Sequence, residues 1–184
     1  SAGAQWVLNT LFPHCMQLKQ QDESLVPYAL TITQALSMCI ASHHSGLIDS
    51  LSESDNVFVK RLKKLDEYTH LQECIENAEP ELLEQAQFIA SFELIEQGSI
   101  RLKEMLESFK LSDIEHDYYL GMFTKMLFSC LIDADRIDSA DFEQPDNKPE
   151  RFKQVNWDFA CDKFESFLSQ LEPKNSIDHI RAKI

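Results

Sequence analysis

Glycine and proline are scarce: four and six in 184 residues. That is too few for a sandwich or barrel built on many tight turns. Positive charge is scarce as well. Seventeen Lys and Arg face 31 Asp and Glu, giving a net charge of −14. So acidic a surface repels phosphate backbones in general, which argues against non-specific nucleic-acid binding by this chain alone. A metal site can still draw phosphate in locally, because a bound divalent cation can be the largest charge in its surroundings. Pairable cysteine is missing too. Cys15, Cys39, Cys74, Cys130 and Cys161 are odd in number and widely spaced, with no C-x-x-C. They read as reduced, mostly buried thiols of a cytosolic protein, not as a disulfide frame or a zinc site. No apolar run approaches the roughly 20 residues of a membrane span, and residues 1–6 carry no secretory leader. Nor is there a G-x-x-x-x-G-K-[ST], a G-x-G-x-x-G or a G-x-S-x-G, so nucleotide-loop and serine-hydrolase readings have no local support.

What is present is helical. Apolar residues recur at helical spacing almost everywhere and nowhere alternate cleanly, which predicts an all-α fold of six to eight helices without a sheet. A short helix over 3–12 is expected to stop at Pro13. The next is capped by Ser24, tolerates Pro27 in its first turn, and ends near His43-His44-Ser45-Gly46. Residues 49–56 read as a loop, after which Asp55 or Asn56 caps a helix running to Ile75. Pro80 opens a fourth helix that Gly98 ends or kinks. Ser112-Asp113-Ile114-Glu115 has the form of a capping box and starts the best-patterned helix, expected to form the core from Asp113 to about Asp138. Residues 142–155 read as a loop. Asn156 caps a last full helix ending near Leu171, and a further one begins after Pro173.

Two stretches could carry chemistry. His43-His44 closes a helix. Neutral imidazoles bind Zn, Mn, Fe, Co and Ni well, and neighbouring helical residues point about 100° apart, which suits two nearby metals better than one. The plainer account is a pair of exposed helix-end histidines favoured by the dipole. The other stretch is Leu131 to Asp138, which sets Asp133, Asp135 and Asp138 into an otherwise apolar helix. A buried, unpaired carboxylate is costly, so a metal or cation is the expected partner, unless the helix simply emerges into solvent there. Periodicity does not choose between Asp133 and Asp135. His116-Asp117 sits in the first turn of a capped helix, where Asp is favoured anyway. His14, His70 and His179 read as surface or packing residues. Lys60, Arg61, Lys63 and Lys64 form the strongest basic patch, but with Asp66 and Glu67 beside it the patch reads as a solvated helix face.

Taken in order, Gly3-Ala4, then Ala41-Ser42-His43-His44-Ser45-Gly46-Leu47, then Phe128-Ser129-Cys130-Leu131-Ile132-Asp133-Ala134-Asp135 with Asp138 after it, resemble the HD nuclease domain of the CRISPR-associated nuclease-helicase of type I systems. The closing residues Ser176 to Arg181 look like its connector toward a helicase. The resemblance covers nearly the whole chain: residues 1–172 as the HD-type domain and 173–184 as the start of the connector. It implies an all-helical HD bundle with a divalent-metal centre (Mn, Ni, Co, Fe or Mg) that hydrolyses phosphodiesters of single-stranded DNA in the cytoplasm. An ATP-driven helicase outside this chain would feed the strand in, and a guide-RNA surveillance complex would recruit the enzyme; no membrane is involved. Residue by residue, His43 and His44 match the paired histidine ligands and Asp135 the final aspartate, with Asp133 a weaker candidate. These donors are expected to converge on one pocket. The family's early histidine, its HD pair and the next histidine precede the segment matching Gly3-Ala4. They are therefore expected to have been removed, to sit on a separate piece, or to be lost in a degenerate protein. Two other readings compete: an HD-type nucleotide phosphohydrolase, and a non-catalytic helical module that binds a protein partner.

Overall fold

A computed structural model of the chain describes residues 1–48, 56–109, 112–145, 156–171 and 177–178. Among the described residues there are nine α-helices, more than the six to eight expected, and no strand, as the periodicity predicts. They are α1 (Ala2–Gln21), α2 (Val26–Ser42), α3 (Val57–Leu62), α4 (Asp66–Thr69), α5 (Leu71–Asn77), α6 (Pro80–Ile89), α7 (Phe92–Ser108), α8 (Asp113–Glu143) and α9 (Trp157–Ser169). The chain divides into two compact units, residues 1–137 and 138–184.

The core of the first unit is α2, not α8. Helices α1 and α7 pack on α2 and on each other. Small residues let them come close: Ala29, Thr33, Ala35, Ser37, Cys39, Ala41 and Ser42 of α2 are all buried. The approach is tight at two glycines. A Cβ on Gly3 would stand 3.0 Å from Ile40 Cγ2, and one on Gly98 would stand 3.1 Å from Ile32 Cδ1. Leu11, Leu18, Ile95, Leu102 and Leu106 fill the space between, each contributing about 1.5–3 kcal/mol by leaving water. By contrast, no described side chain of α8 is buried, because its charges are spread around the whole helix. The stretch Glu23–Ser42, against the sequence expectation, is long and apolar enough by composition to cross a membrane. Part of its apolar surface, including Ala29, Ile32 and Ala35, is buried in the core where α1 and α7 pack on α2.

Local chemistry explains where the helix boundaries differ from expectation. Helix α1 runs through Pro13 to Gln21, because the exposed proline leaves the freed backbone carbonyl on the solvent side while Leu11, Cys15 and Leu18 hold the inner face. Asp22, not Ser24, caps the 3-10 turn before α2, accepting from the Ser24 amide at 2.9 Å. Asn56 caps α3 through the Val59 amide at 3.0 Å, as expected. The predicted single helix then breaks into α3, α4 and α5, at residues 63–65 and at His70, which adopts a left-handed φ of 53°. Pro80 does open α6, but the helix ends at Ile89 and Gly98 lies inside α7. At the start of α8 the Glu115 carboxylate takes both the Ser112 N–H (2.9 Å) and O–H (2.6 Å). Asn156 caps α9 through the Phe159 amide at 3.0 Å. Of the loops expected over 49–56 and 142–155, the second begins too early, since Phe142 and Glu143 still belong to α8; residues 49–55 and 146–155 lie outside the described residues, as does the expected last helix after Pro173 apart from a helical turn at Ile177 and Asp178.

Candidate functional site

The end of α2 is held by three elements. Ala4 of α1, Ala41 of α2 and Phe58 of α3 form a second buried cluster, flanked by Met38, Ile40, Ile48 and Leu62. Gln5 Nε2 donates to the carbonyls of Leu62 and Lys64, both at 2.7 Å, and so fixes the far end of α3 against α1. The histidine turn itself is laced by hydroxyls. Ser42, fully buried, donates to the Met38 carbonyl at 2.6 Å and accepts from the Ile48 amide at 3.2 Å. Gly46 follows the turn at φ +77°, a left-handed conformation that suits glycine.

Within this frame His43 is half-buried and His44 exposed, with ring centroids 3.7 Å apart and planes tilted by 44°. His43 Nδ1 lies 2.7 Å from the Ile40 carbonyl oxygen. A carbonyl can only accept, so Nδ1 carries the proton and Nε2 of the neutral ring keeps its lone pair. That is the arrangement in which a backbone carbonyl orients a metal-binding imidazole.

Arg61 completes the turn. Its Nη1 donates to the Ala41 carbonyl and, at 3.1 Å, to Ser45 Oγ, two acceptors that bracket His43-His44. Sequence reasoning passed over Arg61 as one member of a solvated patch. The available signal was four cations within five positions of a strongly acidic chain.

The aspartates stand apart. Asp133 and Asp135 are both exposed on α8, whose surface from Asp133 to Ser139 faces solvent. Helix α8 meets α2 where Cys39 Sγ donates to the Thr124 carbonyl at 3.6 Å. Asp135 lies eleven positions further along α8, about 16 Å of helix. Among the described residues no three His, Cys, Asp or Glu side chains form a group that could hold a metal ion. The expected convergence of His43, His44 and Asp135 is therefore not present among them. The chemistry of the donor set gives the same result: two imidazoles without a carboxylate or thiol do not close a metal centre, so the described residues do not by themselves fit the implied metal.

The remaining candidates are accounted for locally. His116 and Asp117 lie in the first turn of α8. His14 packs edge-on to Phe92 at 6.4 Å, and His70 pairs with Glu73 at 3.2 Å. His179 is outside the described residues. Of the cysteines, Cys15 and Cys39 are buried, and burial raises both thiol pKa values. Cys74, Cys130 and Cys161 are exposed, so the expectation of mostly buried thiols fails for three of five.

No family model matches the chain, and neither a curated protein nor a solved structure matches it.

Proposed function

We propose that this chain belongs to an HD-type nuclease domain that cuts single-stranded DNA with a divalent metal, in the cytoplasm, beside an ATP-driven helicase and a guide-RNA surveillance complex. The observation that carries this reading is the histidine turn. The proton of His43 is spent on the Ile40 carbonyl, its Nε2 is left to a ligand, and the His44 ring lies 3.7 Å away. A histidine at a helix C-terminus can bond a last-turn carbonyl simply as a cap, so what singles this turn out is the second ring beside it and the arginine that brackets it. In this reading the described residues supply two imidazoles, and the other donors come from outside the described residues. Residues 1–184 alone then fold but cut poorly. A longer protein carrying the family's HD pair cuts single-stranded DNA in the presence of Mn or Ni, and His44→Ala in it abolishes cleavage. Robust, chelator-sensitive cleavage by residues 1–184 alone would show that the donors are assigned wrongly, and cleavage of free nucleotides in place of DNA would move the assignment to a nucleotide phosphohydrolase.

A second reading, a non-catalytic helical module, has its own support. No three-donor group forms among the described residues, and large apolar side chains stand exposed on α6, among them Leu82, Phe88 and Ile89. Metal content separates the two. Transition metal retained by the longer protein after dialysis supports the nuclease; none retained supports the module.

A further inference from the structure

We infer that Arg61, Lys63 and Lys64 form a phosphate-docking track that holds a nucleic-acid strand against the histidine turn; this rests on the nuclease reading above. The chain carries a charge of −14, so a strand can approach only where cations are locally concentrated. The densest concentration, Lys60 to Lys64, is also the part of the chain that the fold fastens to the histidines. Buried Phe58 anchors α3 beside Ala41, and Gln5 pins the Leu62 and Lys64 carbonyls. Arg61 makes both bonds to the turn from Nη1. Among the described residues Nη2 and Nε take no partner, which leaves guanidinium donors for a phosphate.

Asp66 is turned to the start of α5, where its carboxylate accepts from the Gln72 amide at 3.0 Å. Lys63 and Lys64 are exposed and make no ion pair among the described residues. Favourable placement at a helix C-terminus accounts for Arg61 and for Lys63, the C-cap of α3, but not for Lys64, which lies beyond it. Three phosphate contacts to a single strand imply a slope of about −2 in log affinity against log salt. Affinity for a strand should then fall about 18-fold between 50 and 200 mM salt.

The test uses fluorescence anisotropy of a labelled oligothymidylate with the full chain and its Lys63→Ala/Lys64→Ala double variant. These are surface changes, and circular dichroism checks the fold. The expected result is weaker binding and a salt effect reduced to about 3-fold over the same range. Unchanged affinity and slope, or no binding by the wild type at low salt, overturns the inference. Histidine ring NMR with added Ni or Mn reads the nuclease premise separately. Metal-perturbed His43 and His44 with lysine-independent DNA binding sinks the track alone. Unperturbed histidines with lysine-dependent binding sink the metal site and leave the track standing.

Discussion

Arg61 reaches back twenty positions to donate to the carbonyl of Ala41, the residue that opens the Ala-Ser-His-His segment. Ala41 is buried, so without the guanidinium its carbonyl loses a charged partner in a place that solvent reaches poorly. Arg61→Ala is expected to destabilise the first unit by about 1–3 kcal/mol, read as a lower urea midpoint at unchanged slope. Arg61→Lys should recover only part of this, because an ammonium cannot fork between Ala41 and Ser45 as a planar guanidinium does. An unchanged midpoint would mean that the histidine turn holds itself.

Two glycines should respond oppositely. Gly46 has φ +77° with no atom near its missing Cβ, so Gly46→Ala costs strain alone, about 1–2 kcal/mol. Gly98 is mid-helix, where alanine is favoured by about 1 kcal/mol, and the atom it would crowd is the mobile end of Ile32. Gly98→Ala is therefore expected to be neutral or mildly stabilising in thermal melts. A loss exceeding that of Gly46→Ala would show that Ile32 cannot give way.

Helix content, the caps at Asn56 and Asn156 and the end of α2 before Gly46 were legible because each rests on local chemistry within a few residues. The core helix was not. Apolar residues recur at helical spacing along α8 too, but its charges are spread around the helix, and burial follows which helices can approach. Approach is governed by small residues such as Ala29, Ser37 and Ala41, which hydrophobic spacing undervalues. The break at His70 was equally hidden, since a non-glycine left-handed residue leaves no compositional mark. At the site, the histidine pair was visible as a motif, whereas Arg61 became visible only once α3 was folded against α2.

The thiols give a test of the core. Cys15 sits fully buried with its sulfur 3.3 Å from Thr33 Oγ1, and burial pushes its pKa up, as it does for Cys39. With a thiol reagent at neutral pH, Cys74, Cys130 and Cys161 should react at once, and Cys15 and Cys39 only with unfolding. Five fast thiols in the native protein would mean that α1 and α2 are not packed as described.

Acid should loosen the start of α8. The Ser112 O–H, then its N–H, hold the Glu115 carboxyl below its ordinary 4.5. A folded-state pKa below the unfolded one gives stability that is present above pH 4.5 and lost as pH falls toward the folded value. Glu115→Gln should flatten the stability curve in that acid window. A curve of unchanged shape would leave the capping contact without energetic weight.

The histidine turn makes a prediction that needs no activity at all. The Ile40 carbonyl accepts from Nδ1, so neutral His43 must be the Nδ1–H tautomer, with its Nε2 unprotonated. Nitrogen NMR of the imidazole rings distinguishes the two tautomers directly. Titration with Ni should then perturb His43 and His44 before His14 and His70, because only the first pair stands ring against ring at 3.7 Å. Without a carboxylate or thiol beside the two rings, the affinity should stay weak. His44→Ala should weaken the perturbation at His43. An Nε2–H tautomer at His43, or Ni that prefers His70 beside Glu73, would remove the two-imidazole half-site on which the nuclease reading stands.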